Sequence, residues 1–424
     1  RFATIMQMQR WNPWWTGDPD PTYLAWSKHK VRWVPDESEQ VSLKPFSLNF
    51  VSGPRQVGKT TMLKLLINRL LQHTNPKAIL YVSCDELADF RELGETLDTY
   101  LRAKASWGVK TSYIFLDEVT FVDDWWRAVK ARIDDGSLLD SSVTVTGSAS
   151  MELLKQREMF PGRRGHGVDI IMRPLSFHTY LVKVVGITPA VIEDIGSIWR
   201  AVEANKMYNQ TIASSFRTYL ETGGFPPAIK EWTEYGRVGE ASRKAFLDGL
   251  RGDWLRAGKN ESTMKEVISY LLEARAAPVS WLSIAKNTSI TSPHTARSYV
   301  DVLKDLMTVT ILSYVDPSGR TIHRKNRKIH FADPFIHKTL ADYCGQKVHE
   351  DALIEGVVTS HLSRRYNTGY WRNESEVDCV VVEKGKIYGF EVKTGAGTPS
   401  RPRWIKHYIV LDKETTPLFL AGLC

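Results

Sequence analysis

Four short apolar runs set the pattern of the first half of the chain: Ser47–Val51, Ala78–Val82, Tyr113–Asp117 and Ser142–Thr146. Runs of this length, bounded by turn residues and rich in β-branched and aromatic side chains, read as strands buried on both faces. Between them, Thr60–Gln72 and Trp125–Asp134 carry the spacing of amphipathic helices. Strands alternating with helices predict an α/β core with a parallel sheet over residues 47–181. Residues 1–46 form an aromatic-rich arm with Trp11, Trp14, Trp15, Trp26 and Trp33, interrupted by the turn-forming PDPTY and PDESEQ. The indoles are expected to pack on the core, with an exposed partner contact as the alternative. Residues 182–260 read as a helical lid broken only by Gly223–Pro227. Residues 261–332 read as helix, turn, helix and two strands. Residues 333–424 read as helix, strands, a tight hairpin at Lys384–Gly385 and more strands. The chain contains neither an internal repeat nor a low-complexity tract.

With 424 residues and 42% hydrophobic content, the chain can bury more than one core. No apolar run reaches the roughly 18–20 residues that cross a bilayer, so no membrane partner is expected. The polar, Trp-rich start does not read as a secretory signal. Cys84, Cys344, Cys379 and Cys424 are scattered without CxxC spacing. Neither a zinc site nor a disulfide framework is therefore expected, and a reducing, cytoplasmic location follows. The net charge of +8 makes phosphates and nucleic acid candidate partners.

The chemistry begins at LNFVSGPRQVGKTT, which holds the full phosphate-loop pattern with Gly53, Gly58, Lys59 and Thr60 between an expected strand and helix. Residues Gly53, Pro54, Arg55, Gln56, Val57, Gly58, Lys59, Thr60 and Thr61 are the expected nucleotide-binding set. Backbone N–H groups and the helix N-terminus would ring the phosphates, Lys59 would reach the β- and γ-phosphates, and Thr60 would ligate magnesium. Downstream, YIFLDE ends a strand in two carboxylates whose side chains point to opposite faces. Asp117 is assigned to magnesium and Glu118 to polarising the attacking water. Thr146 and Ser148, in the next strand end, are candidate sensors of the γ-phosphate; a plain strand end is the alternative. Arg163 and Arg164 of PGRRG read either as a finger reaching a neighbouring subunit's nucleotide or as a solvated basic loop. ATP and Mg²⁺ are the expected cofactors.

In the C-terminal half, a short helix with Leu282 and Ala285, a turn over Asn287–Thr291, and an N-cap at Ser292 before Pro293 precede an apolar stripe of Ala296, Tyr299, Val300, Leu303 and Leu306. A hairpin around Asp316–Arg320 follows. This is winged-helix grammar, with Arg297, Arg324, Lys325, Arg327 and Lys328 as candidate contacts to duplex or branched DNA; a packing role is the alternative. Further on, Asp378, Glu391 and Lys393 have the D…ExK layout of restriction-type nucleases, and Glu355 on a helix is a further candidate ligand. Two carboxylates can hold Mg²⁺ while the lysine steadies water or developing charge; a salt-bridged surface hairpin is the alternative.

The pieces GPRQVGKTT, YIFLDEV, VTGSAS, PGRRG with RPLSFHTYL, YLETGGFPPAI, and YWRNESEVDCVVV with FEVK together resemble the archaeal and bacterial AAA+ ATPases that carry a C-terminal nuclease-like domain of unknown function. They cover Ser52 to Thr394, and NPWW near the start is similar to the archaeal branch. The resemblance implies a P-loop AAA+ core with a helical lid, then a winged helix and a restriction-endonuclease-like α/β domain. It also implies assembly into a ring or other oligomer and a role in DNA processing or mobile-element defence. By that likeness Lys59, Thr60, Asp117 and Glu118 form the ATP site, and Arg163 or Arg164 falls on the family's GR motif. Asp378, Glu391 and Lys393 fall on its nuclease-like motif. The second-sensor arginine usual in AAA+ lids is not evident. The leading expectation is an ATP-hydrolysing protein that binds and processes DNA as an oligomer. The alternatives are an ATP-held switch that scaffolds a protein partner, or an ATP-gated magnesium-dependent nuclease.

Overall fold

The computed structural model describes residues 4–148, 150–373, 375–395 and 401–424. Ala149 of the VTGSAS piece and Glu374 of YWRNESEVDCVVV lie outside them. The chain divides into two compact units, Arg1–Arg173 and Pro174–Cys424.

The first unit is built on β1 (Ser47–Ser52), β2 (Ile79–Ser83), β3 (Ser112–Asp117), β4 (Ser141–Gly147) and β5 (Asp169–Ile171). They form one sheet in the order β2-β3-β4-β1-β5, and every pairing is parallel. This is the parallel α/β core that the alternating pattern predicts. Every residue of β1 and β4 is buried, as expected of strands covered on both faces, with Asn49 and Thr144 among the buried polar residues. Alternation along each strand feeds two cores: Ile114 and Leu116 pack with Phe50 and Trp125, while Phe115 and Tyr81 pack with Met62 and Leu66. Parity therefore sends Asp117, two residues after Phe115, toward the helix Lys59–Leu70.

Strand β2 lies at the sheet edge, where unpaired N–H and C=O groups invite pairing with another chain. The arm closes this edge. A short helix, Ile5–Gln9, starts in a capping box between Thr4 and Gln7 and delivers Asn12 to β2. The Asn12 amide accepts from Tyr81 N–H (2.7 Å) and donates to Tyr81 C=O (2.9 Å), imitating a neighbouring strand. The Trp14 and Trp15 indole N–H groups both donate to Ile79 C=O, at 3.2 and 2.8 Å. The Asn12-Pro13-Trp14-Trp15 segment thus packs on the core through polar as well as apolar contacts.

In the second unit, helices Asn209–Thr222, Pro226–Tyr235, Glu240–Arg256 and Glu261–Ala274 precede a six-stranded mixed sheet. Its strands are β6 (Val309–Val315), β7 (Thr321–Phe331), β8 (Asn367–Arg372), β9 (Glu376–Glu383), β10 (Lys386–Val392) and β11 (His407–Leu411), in the order β11-β10-β9-β8-β6-β7. The β9–β10 turn places Lys384 and Gly385 at positive φ (49° and 75°), the conformation a two-residue hairpin needs.

Residues 261–332 and 333–424 share one sheet, because the hairpin read as a free wing pairs in parallel with β8, Ser313 opposite Gly369 and Tyr314 opposite Tyr370. The glycine makes the approach possible: a Cβ at Gly369 would lie 2.3 Å from Val315 Cγ2 and 2.7 Å from Ser313 O. Within the second unit, Leu175 N–H donates to Gly224 C=O and Phe177 packs on Phe216 and Tyr219.

Replacing Asn12 by alanine strands a buried N–H and a buried C=O of Tyr81. We expect a loss of about 2–4 kcal/mol in urea unfolding, whereas Met6→Ala at an 80% exposed position changes stability by less than about 0.5 kcal/mol.

Candidate functional site

The C-terminal ends of β1, β3 and β4 lie side by side and carry the phosphate loop, the acidic pair and the Thr146–Ser148 segment. The loop needs two glycines for separate reasons. A Cβ on Gly53 would sit 2.3 Å from the carbonyl oxygen of Met172, which comes close because Met172 N–H bonds to Ser52 C=O at 2.8 Å. Gly58 has φ +103° just before the helix begins at Lys59. Gln56 takes φ +60° without being glycine. Lys59 is buried, and its Nζ donates to the carbonyls of Gly53 and Pro54, both at 2.9 Å, and lies 3.8 Å from Glu118 Oε1. Val57 anchors the loop in the core, and Arg55 sits over the Phe121 ring. Thr61 is half-buried in the first helical turn.

Asp117 is 3% exposed and collects three hydroxyl groups. Thr60 Oγ1 donates to Oδ2 at 2.6 Å, Tyr81 Oη to the same oxygen at 2.7 Å, and Thr146 Oγ1 to Oδ1 at 2.5 Å. The Thr146 hydroxyl also accepts from Glu118 N–H at 2.9 Å, so it orients both acidic residues. Glu118 holds φ +55°, a sparsely populated conformation for a side-chain-bearing residue. Its Oε2, Gln56 Oε1 and Ser148 Oγ are all buried without a hydrogen-bond partner among the described residues. Buried polar atoms are normally satisfied, so three unsatisfied ones around a lysine and a carboxylate fit a polar, multiply accepting and donating ligand.

Tyr81 is the residue that sequence reasoning missed. Burial, reinforced by the Asp117 charge, pushes its phenol pKa far up, which fixes it as a donor. Beneath it, Lys64 Nζ lies 3.4 Å from the centre of the Tyr81 ring and pairs with Asp20 of the arm at 2.9 Å. Burial lowers the Lys64 pKa, and Asp20 opposes that effect. The signal for Tyr81 is parity: it shares the Phe115 face on the strand beside β3. Of the paired arginines, Arg163 bonds Asp134, while Arg164 bonds Asp169 at 2.7 Å and covers the Phe50 ring.

A second polar cluster lies on the six-stranded sheet, where Asp378, Glu355, Glu391 and Lys393 come together around an unanticipated centre. Lys328 is 1% exposed, and its Nζ lies 2.5 Å from Glu355 Oε1, 2.8 Å from Glu376 Oε1 and 3.2 Å from Asp378 Oδ1. This corrects its assignment as a DNA contact: the last four residues of β7 are buried, and Lys328 turns into the sheet's polar centre. Burial would lower the Lys328 pKa, but Glu355, Asp378 and Glu376 overcome it and raise it. Burial pushes Glu355 up to about 8, against the pull of Lys328. Lys393 pairs with Glu391 at 2.6 Å, and Asp378 Oδ2 accepts from Val392 N–H at 2.9 Å. Among the described residues no group of three or more His, Cys, Asp or Glu side chains is arranged to hold a metal ion. Glu376, two residues before Asp378 and so on the same face, was legible by parity. The remaining basic candidates stay near the surface. Arg324 and Lys325 are exposed, Arg297 is exposed and pairs with Asp301 at 3.5 Å, and Arg327 bonds the carbonyls of His323 and Lys325.

Residues 46–181 match the family described as AAA domain, and residues 213–346 and 350–418 match two further families, each described as a domain of unknown function. An uncharacterized protein of Mycobacterium tuberculosis is 24% identical over 377 residues, 85% of this chain and 73% of the relative. One of Methanocaldococcus jannaschii is 23% identical over 379 residues, 84% and 76%. Among solved structures, the Aeropyrum pernix ORC2 protein in ADPNP–ADP complexes aligns with 11% identity and a TM-score of 0.40, over 75% of this chain and 98% of that one. The Thermotoga maritima RuvB Holliday junction branch migration motor aligns with 14% identity and a TM-score of 0.30, over 77% and 93%. No helix among the described residues is long and apolar enough to cross a membrane. The segment from Phe46 to Leu181 thus combines a parallel-sheet core, a phosphate loop and the family match of an AAA domain.

Proposed function

We propose that this protein hydrolyses ATP at the phosphate loop and uses the cycle to act on duplex or branched DNA as an oligomer. The observation that carries the nucleotide reading is the meeting of Lys59, three hydroxyl donors on Asp117, and the unsatisfied Glu118 Oε2, Gln56 Oε1 and Ser148 Oγ at three adjacent strand ends. Thr60 and Asp117 would hold magnesium, which when bound supplies positive charge to the β- and γ-phosphate oxygens.

Lys59 exchanges the Gly53 and Pro54 carbonyls for phosphate oxygens, a swap between acceptors that leaves its buried charge compensated. Glu118, free on one oxygen, accepts a proton from the attacking water, and its strained backbone aims it across the β3 end. Ser148 reads the terminal phosphate with its free hydroxyl. Thr146 acts through Asp117 and Glu118 instead, since its hydroxyl is bonded to both. Arg163 or Arg164 serves a neighbouring subunit after releasing Asp134 or Asp169. For DNA, the support is the exposed basic strand Arg324–Lys325 together with Arg327 and Arg297, where phosphates supply most of the affinity.

ATP turnover and nucleotide binding test the first part. Glu118→Gln lowers turnover about 100-fold or more with binding retained, and Lys59→Ala weakens binding at least about 10-fold; wild-type protein that binds no nucleotide defeats the reading. Tyr81→Phe removes a positioning hydrogen bond and slows turnover about 10-fold at unchanged nucleotide affinity; full turnover in that variant removes Tyr81 from the role. Gel shifts against salt test the DNA part. Arg324→Ala/Lys325→Ala flattens the log–log salt slope by about 2, and absence of binding to duplex, branched or single-stranded DNA at low salt refutes it.

A further inference from the structure

The D…ExK arrangement implies a divalent metal between Asp378 and Glu391, and the residues around it do not fit one. Asp378 Oδ2 accepts from the Val392 N–H, and Oδ1 faces the Lys328 ammonium, so a cation already stands where a metal would approach that oxygen. One oxygen of Glu391 is held by Lys393. The remaining acidic groups, Glu355 and Glu376, face Lys328 at 2.5 and 2.8 Å. An ammonium group carries three N–H donors and no acceptor, and here it meets three carboxylates. Its hydrogen bond goes to Asp378 Oδ1, while Glu355 Oε1 and Glu376 Oε1 lie at ion-pair distance.

We propose that Lys328 is a tethered cation that takes the place of the divalent metal, so that the D…ExK cluster of this chain is a metal-independent charge centre and not a magnesium-dependent cleavage site. The lysine arrives on β7, from the strand beyond β6 and β8 in sheet order, and its partners stand on the helix Glu350–Arg365 and on β9. Its single charge therefore ties together three elements that lie apart in sequence. A free metal ion would have to displace an ammonium that cannot diffuse away, in a site where the competing cation is held by its own backbone. The side chain of Lys328 is long enough to bring its charge to the carboxylates, and truncating it removes the competitor while leaving every acidic group in place.

The test is a Mn²⁺ titration of the nucleotide-free full-length chain followed by electron paramagnetic resonance, with no ATP turnover in the readout, so its outcome is separate from the nucleotide reading. Wild-type protein is expected to take up no Mn²⁺ that depends on Asp378 or Glu391. Lys328→Met is expected to gain one Mn²⁺ per chain, lost again in Lys328→Met/Asp378→Asn. Wild-type uptake that disappears in Asp378→Asn or Glu391→Gln overturns the proposal, as does a folded Lys328→Met that gains none. If circular dichroism finds Lys328→Met unfolded, the wild-type titration decides alone: uptake dependent on those carboxylates overturns the proposal, and its absence upholds it.

Discussion

A buried carboxylate is costly unless its oxygens are satisfied, and the first unit is organised around satisfying Asp117. The helix that opens the phosphate loop supplies Thr60, the edge strand supplies Tyr81 and the neighbouring central strand supplies Thr146. Each donor comes from a different element, so the carboxylate records the relative positions of the helix and both flanking strands. A shift in any of them strands a charged oxygen in the core. The same three donors leave Glu118, one residue on, pointing elsewhere with an unpaired oxygen. The division of labour between two adjacent acids is thus set by strand parity and by one residue with φ +55°.

The parallel-sheet core and the phosphate loop were legible because both are local: apolar runs of strand length, and a glycine pattern between a strand and a helix. What escaped was non-local. Tyr81 reaches Asp117 only because β2 lies beside β3, and no spacing along the chain states that neighbourhood. Lys328 was read as part of a basic strand with Arg324 and Lys325, since charge alone suggests a solvated face. It is buried because β6 lies beside β8 and the end of β7 runs over the helix Glu350–Arg365, a pairing that depends on the missing side chain of Gly369. That the strands of the C-terminal half share one sheet escaped for the same reason. Each hairpin was visible in its own turn residues, but the seam joining them was carried by a single glycine.

The two polar centres offer a contrast in how a protein treats acidic groups. Around Asp117 the donors are neutral hydroxyls, which bring no positive charge of their own. Around Asp378 one donor is itself a cation, and Glu355 is driven up to about 8 by burial despite it. Similar acidic side chains thus sit in one pocket open to further positive charge and in another that contains its own.

The arm carries one more consequence. The stretch recognisable as an AAA domain starts at residue 46, yet the bonding groups of Ile79 and Tyr81 are completed by Asn12, Trp14 and Trp15. The recognisable domain and the self-sufficient folding piece are therefore different lengths of chain. A fragment trimmed to the family limits would present β2 as a bare ladder, open to strand addition by a second molecule. Its solubility would report the work of three residues that lie outside the family match.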